Sequence, residues 1–287
     1  PPIPPAKFPD VSVIEMPEEP ATLTLRPPKL NAADSLANNL AGVTRLNGAG
    51  FGTGLLPGFS PGFGREIGNL RKKGLDVVLV LDATNSMSPY IEQGKRRLRE
   101  ILDIVTHLVP KARFGVVAYK DYGDDYGRNA VKGMKITQDT DAIRKFINGI
   151  VAGGGGDKPE PIHEAIKVAT DFKSMGWKGK AKRLIILVGD SPIHSSGRTP
   201  AFRDARNFAL KLKGTINVID VGGAGTQGAR RQTVLPDLAE IAKKGGGQAF
   251  LLQEQEEFWR HLIVSVFGRK YEKDVTTIIE VLIDSGP

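Results

Sequence analysis

Apolar and polar positions alternate between two periods along most of this chain. Leu75–Leu81 is an almost continuous apolar run, the pattern of a strand buried on both faces. Tyr90–Leu108 then spaces Ile91, Leu98, Ile101, Leu102, Val105 and Leu108 at helical intervals. Ser88-Pro89 supplies a capping residue followed by proline at the first helical position. The same reading predicts strands at Arg113–Tyr119, Met134–Ile136, Arg183–Val188, Thr215–Val221 and Gln248–Leu252. It predicts helices at Thr140–Ile150, Glu160–Phe172, Pro200–Leu212, Leu235–Lys244 and Glu254–Phe267. Strands alternating with helices of ten or so residues imply an α/β fold. The expected sheet is doubly wound and mainly parallel, with helices on both faces.

The flanks read differently. Residues 1–73 are expected to be a Pro/Gly-rich extension or linker. PPIPP, EEP and RPP open it as extended spacer composition. Residues 31–46 could hold one short helix. Residues 47–68 carry recurrent glycine with Phe51, Phe59 and Phe63, aromatics able to pin the segment to a folded surface. The main domain is expected over 74–268. In the tail, 269–287, the β-branched run VTTIIEVLID reads as a strand for a sheet edge, in this subunit or a neighbour.

Composition narrows the chemistry. The 287 residues include no cysteine, which excludes disulfides, thiolate catalysis and Cys-ligated zinc. The 40 Lys and Arg against 32 Asp and Glu give a formal net charge of +8, most simply a solvated basic face. No RNA-binding or zinc-finger signature accompanies it, so no specific nucleic-acid partner is expected. No stretch reaches the ~18 apolar residues of a membrane span. The chain begins at Pro1 rather than Met, so a missing upstream anchor is the one expected route to a membrane.

Two strands run into an acid. VVLVL ends at Asp82 and RLIILVG at Asp190, each followed by a turn containing serine. In doubly wound sheets, ligands bind beyond the carboxyl ends of the strands. Two carboxylates brought together there repel each other. A divalent cation resolves the conflict, and oxygen ligands suit Mg²⁺ first, with Mn²⁺ or Ca²⁺ as alternatives. A third loop, VAGGGGDKPEP, offers flexible backbone, then Asp157 and Glu160 before a helix.

Asp82-Ala-Thr84-Asn-Ser86-Met87 resembles the D-x-S-x-S motif of the von Willebrand factor type A domain, in its bacterial type. Asp190 resembles that family's later aspartate, and YKDYGD (Tyr119–Asp124) a stretch of one of its subgroups. The resemblance covers about Gly74 to Phe267. It implies a Rossmann-like fold with a metal-ion-dependent adhesion site. Asp82, Thr84, Ser86 and Asp190 would bind the metal, directly or through water, leaving one position open to an acidic group of a partner. Thr84 stands where the family has Ser, and Asp157 is the ligand expected where the family usually supplies Thr. Glu160 is the alternative to Asp157; apart from the resemblance, Asp121 and Glu160 are candidates for the rim, with a solvated loop the equal alternative for Asp121.

The function expected from this is metal-dependent protein binding, as adhesion element or scaffold, to a protein partner or a neighbouring subunit, homo-oligomers included. One alternative is a self-assembling structural protein of the cell envelope. A second is a metal-dependent phosphoester hydrolase. No Gly-x-Ser-x-Gly elbow or other nucleophile motif points to an enzyme. Gly223-x-Gly225-x-x-Gly228 follows a late strand and lacks the acidic ribose ligand of a dinucleotide site. Arg230 and Arg231 read as an exposed basic loop, and His194 as a plain loop histidine, with a place near the site as the alternative. A Pro-rich spacer before such a domain favours an extracytoplasmic, envelope-associated location.

Overall fold

The structure, a computed structural model, describes residues 59–284 except 129, 157–158 and 225–229. Phe51, the candidate helix at 31–46 and Asp157 lie outside the described residues.

Six strands form one sheet in the order β3-β2-β1-β4-β5-β6. They are β1 Leu75–Asp82, β2 Ala112–Tyr119, β3 Val131–Thr137, β4 Lys182–Gly189, β5 Gly214–Asp220 and β6 Ala249–Leu251. Only the β2–β3 pairing is antiparallel. The strand order reverses between β1 and β4, where ligand crevices form in such sheets.

Side-chain alternation sends successive strand residues to opposite faces. Val77, Val116, Leu184 and Ile186 pack on one side with α2 (Ser88–Leu108) and α3 (Thr140–Asn148). Val78, Val80, Ile185 and Leu187 pack on the other with α4 (Ile162–Thr170), the short α5 (Phe172–Met175), α6 (Arg198–Leu212) and α7 (Pro236–Lys244). Burial on both faces is why these strands read as unbroken apolar runs rather than alternating ones.

The flanks correct the sequence reading in two places. Residues 61–73 are not linker but a helix, α1 (Pro61–Lys73), capped by Ser60. Phe63 at its start is fully buried, with ring centroids 5.9 Å from Phe267 and 5.5 Å from Tyr271. Phe59 packs on Phe63 in turn. The aromatics thus pin the segment to the surface beside α8 (Phe258–Phe267).

The expected C-terminal strand is a helix, α9 (Glu272–Asp284). Val275, Ile278 and Ile279 recur at three- and four-residue spacing and are all buried. β-Branched residues lose only a few tenths of a kcal/mol each in a helix. Burying them on an apolar face outweighs that cost. Asp274 then binds the start of α1, accepting from Ser60 N at 2.7 Å and Ser60 Oγ at 2.8 Å. Residues 59–73 and 269–279 therefore pack against the sheet domain and against each other.

Candidate functional site

β1 delivers Asp82 to the carboxyl edge of the sheet, opposite Tyr119 of β2. The backbone turns at once, and the turn is held by its own side chains. Asp82 Oδ1 accepts from Thr84 N at 2.9 Å and from Thr84 Oγ1 at 2.6 Å. Ser86 Oγ lies 3.4 Å from Thr84 Oγ1. The alternating acid and hydroxyls therefore share one side of the turn. Asp82 is fully buried and Thr84 nearly so.

Asp190 follows β4, the neighbour of β1. Its Oδ1 accepts from Ser191 Oγ at 2.9 Å. Its Oδ2 is buried with no hydrogen-bond partner among the described residues. Gly189 permits the approach of the neighbouring strands, since a Cβ there would sit 2.7 Å from Tyr119 Oη and 3.5 Å from Asp82 Cβ.

Glu160 closes a third side. Its backbone pairs with the loop after β4, donating to Pro192 O at 2.9 Å and accepting from His194 N at 3.2 Å. Its Oε2 is also buried without a partner among the described residues. Burial is the main reason its carboxyl is pushed up to about 9, and the charges of Asp82, Asp121, Asp190 and Asp124 add to it. The Asp82 carboxyl is pushed up to about 7. Burial dominates there too, the Thr84 hydrogen bonds oppose it, and the Asp190 charge reinforces it. Ionising these carboxyls together is therefore unfavourable without an added counter-charge.

The glycine loop plays a different part from the one its flexibility suggests. Gly153 N donates to Ala83 O at 3.1 Å, and Gly154 O accepts from Asn85 N at 3.3 Å. Gly155 N donates to Asp124 Oδ2 at 3.1 Å. At Gly155 φ is +79°, and a Cβ would lie 2.9 Å from Thr84 Cβ. The loop comes close to the β1 turn itself and clamps it.

Asp121 is buried at the same edge, its Oδ1 accepting from Tyr122 N at 2.8 Å. His194 Nε2 lies 3.8 Å from that carboxylate, so this histidine does stand beside the site.

Sequence reasoning missed a third strand-end acid. Asp220 closes β5, is fully buried, and accepts from Gly222 N at 3.0 Å and Leu235 N at 2.8 Å. It also pairs with Arg231, whose Nη1 donates to Asp190 O at 3.0 Å. Arg231 is therefore a strut between two strand ends, whereas Arg230 is exposed and pairs only loosely with Glu254. The signal available was the apolar run TINVI ending in an acid, the same pattern as at Asp82 and Asp190.

Residues 76–175 match the family model of the von Willebrand factor A domain. Over that stretch the chain is similar to a von Willebrand factor A domain. The match takes in Asp82, Thr84 and Ser86 and stops short of Asp190. In Dictyostelium discoideum, alpha-protein kinase vwkA is 32% identical over 125 residues, 42% of this chain and 19% of that protein. In Acanthamoeba polyphaga mimivirus, a putative ariadne-like RING finger protein is 28% identical over 142 residues, 50% of this chain and 13% of that protein. The chain thus spans a fifth or less of these curated relatives, and neither supports a bacterial-type assignment. Among solved structures, the pilus adhesin SpaC of Lactobacillus rhamnosus GG superposes with a TM-score of 0.53 at 11% identity. That match covers 72% of this chain and 31% of the adhesin, a likeness of fold.

Among the described residues no group of three or more carboxylates and imidazoles is placed to hold a metal ion. What the carboxyl edge of the sheet does offer is the carboxylates of Asp82 and Asp190, the latter with Oδ2 unpartnered among the described residues, and the hydroxyls of Thr84 and Ser86. That donor set fits a hard cation completing its shell with water, and does not fit an all-carboxylate cage.

Proposed function

We propose that this A domain is a protein-binding module whose carboxyl edge binds its partner through a divalent cation, Mg²⁺ first among candidates. Asp82, Thr84, Ser86 and Asp190 would hold the ion, and Asp157 remains the proposed further ligand. The carrying observation is the buried Asp190 Oδ2, without a hydrogen-bond partner among the described residues, beside an Asp82 carboxyl already displaced upward by burial and by Asp190. A buried acceptor left unpaired is costly, and a cation supplies what the protein does not.

A bound cation would neutralise the paired aspartates and offer an open position to an acidic partner group. This chain's own contribution is to hold the oxygens. Thr84 Oγ1 fixes Asp82, and the glycine clamp fixes Thr84. The relatives support a binding role: similar stretches occur in proteins named for two different activities, a protein kinase and a RING finger protein. A segment shared across activities is better suited to recognition than to either reaction. Partners are accordingly proposed to be proteins, copies of this chain included, in the extracytoplasmic setting expected from the spacer.

The test is thermal unfolding with and without Mg²⁺ or Mn²⁺. The cation raises Tm in the unmutated protein and leaves Asp82→Ala and Asp190→Ala unmoved. No shift in the unmutated protein overturns the reading.

A further inference from the structure

Charge is sorted along the strand direction of this sheet. The carboxyl edge holds Asp82, Asp121, Glu160, Asp190 and Asp220, all buried. The opposite edge, where the parallel strands begin, bears lysines. Lys72 and Lys73 precede β1, Lys111 precedes β2, Lys178 and Lys180 precede β4, and Lys211 and Lys213 precede β5. All of them are exposed. Among the described residues none of them forms a salt bridge, whereas the nearby acids are already engaged. Asp76 is held by Arg113 at 2.7 and 2.9 Å, and Glu66 by Lys182 at 2.6 Å. Asp171 caps α5 through Ser174 N.

Helix C-termini favour cations, but that effect is confined to the last turn. It accounts for Lys72, Lys73 and Lys211. It does not account for Lys111, Lys178 and Lys180, which lie in the loops beyond α2 and α5.

Two large apolar side chains are exposed at the same edge. Phe172, 38% exposed, opens α5 directly after α4, and Leu210, 58% exposed, lies in the last turn of α6. Lysines flank both, Lys173 after one and Lys211 after the other. Lysines interspersed with exposed Phe and Leu are what an interfacial surface presents to a membrane. We infer that the lysine-bearing edge docks the domain onto an anionic lipid surface. The carboxyl edge, at the far end of the strands, then faces away from the lipid and stays free for a partner.

A lipid surface fits better than a nucleic acid. The lysines are spread over the starts of four strands rather than following one track. Phe172 is the one large exposed aromatic at this edge among the described residues, and its ring is taken by Arg183, 5.6 Å from the centroid. Single-stranded nucleic acid is held on successive aromatic platforms along a basic groove. The docking is peripheral, since among the described residues no helix is long and apolar enough to cross a membrane.

The inference does not depend on the cation site, and its test keeps the two apart. The full chain is sedimented in EDTA with phosphatidylcholine vesicles, and with vesicles containing about a third phosphatidylserine. Expected is partitioning onto the anionic vesicles alone, released by high salt. The double variant Lys178→Gln/Lys180→Gln partitions roughly thirtyfold more weakly. Both positions are exposed, so its Tm stays that of the unmutated chain. Equal binding to neutral vesicles overturns the inference, as does undiminished binding by the variant. Binding to polyuridylate as tight as to the anionic vesicles at the same salt also overturns it.

Discussion

Arg231 donates from Nη1 to the carbonyl oxygen of Asp190 at 3.0 Å while its Nη2 holds the buried carboxylate of Asp220. One side chain thereby ties the ends of β4 and β5 together. Arg231→Ala leaves the buried Asp220 without its counter-charge and with only the Gly222 and Leu235 amides as partners, a loss of about 3–5 kcal/mol. Arg230→Ala, at an exposed position, changes stability by less than about 0.5 kcal/mol. Urea unfolding of the two variants measures the contrast. Arg231→Ala also shrinks the Mg²⁺-dependent Tm shift if Asp190 serves the ion, because its placement is then looser.

Thr84 tests the turn with little change of shape. Thr84→Ser keeps the hydroxyl that lies 2.6 Å from Asp82 Oδ1, and Thr84→Val removes it. Thr84→Val costs about 1–3 kcal/mol by stripping a partner from a buried acid. It also abolishes the cation-dependent Tm shift that Thr84→Ser retains.

Gly155 has φ +79°, and an added Cβ would lie 2.9 Å from Thr84 Cβ. Gly155→Ala therefore destabilises by at least ~1–2 kcal/mol from the left-handed backbone alone. Gly156→Ala, where a Cβ meets nothing within 4 Å, is the matched control in the same loop.

The displaced carboxyls predict a pH dependence. Asp82 moves from 3.8 to about 7 on folding, and Glu160 from 4.5 to about 9. A carboxyl with a raised folded-state value binds its proton more tightly in the native state. Its contribution is fully present below the unfolded value and is lost as pH rises through the folded one. In EDTA, this term lowers Tm as pH rises from 4 to about 7, and Glu160 extends the fall toward 9. Mg²⁺ opposes the fall on the proposed reading. A Tm series in chelator and in Mg²⁺ checks both halves. Asp82→Asn and Glu160→Gln should each flatten the chelator curve.

The C-terminal helix is part of the domain. Ile278 is buried on the same face as Val275 and Ile279. Ile278→Ala costs about 2–5 kcal/mol, where an edge strand dispensable to the core would tolerate it. Denaturant unfolding followed by circular dichroism reads the difference.

The strands and most helices were legible in the chain because both faces of the sheet are covered. Continuous apolar runs such as Val77–Leu81 then stand out against helical spacing such as Leu98, Leu102 and Val105. The β1 turn was legible too, since Asp82, Thr84 and Ser86 act on one another over two residues. VTTIIEVLID misled because β-branched residues favour strands locally. The same residues place Val275, Ile278 and Ile279 on one helical face, and nothing local decides between the two.

By itself, then, the sequence determined the alternating α/β plan and the polar turn after β1, because period and turn chemistry act within a few neighbours. Tertiary structure alone decided the rest. It brought Asp190 and Glu160 to Asp82 from distant loops, and it spent the glycines on clamping Thr84. It turned Arg231 inward to Asp220 and made a helix of the tail. Each of these depends on a surface or a charge supplied by residues far away in the chain, where the free energy of burial and pairing outweighs local preference.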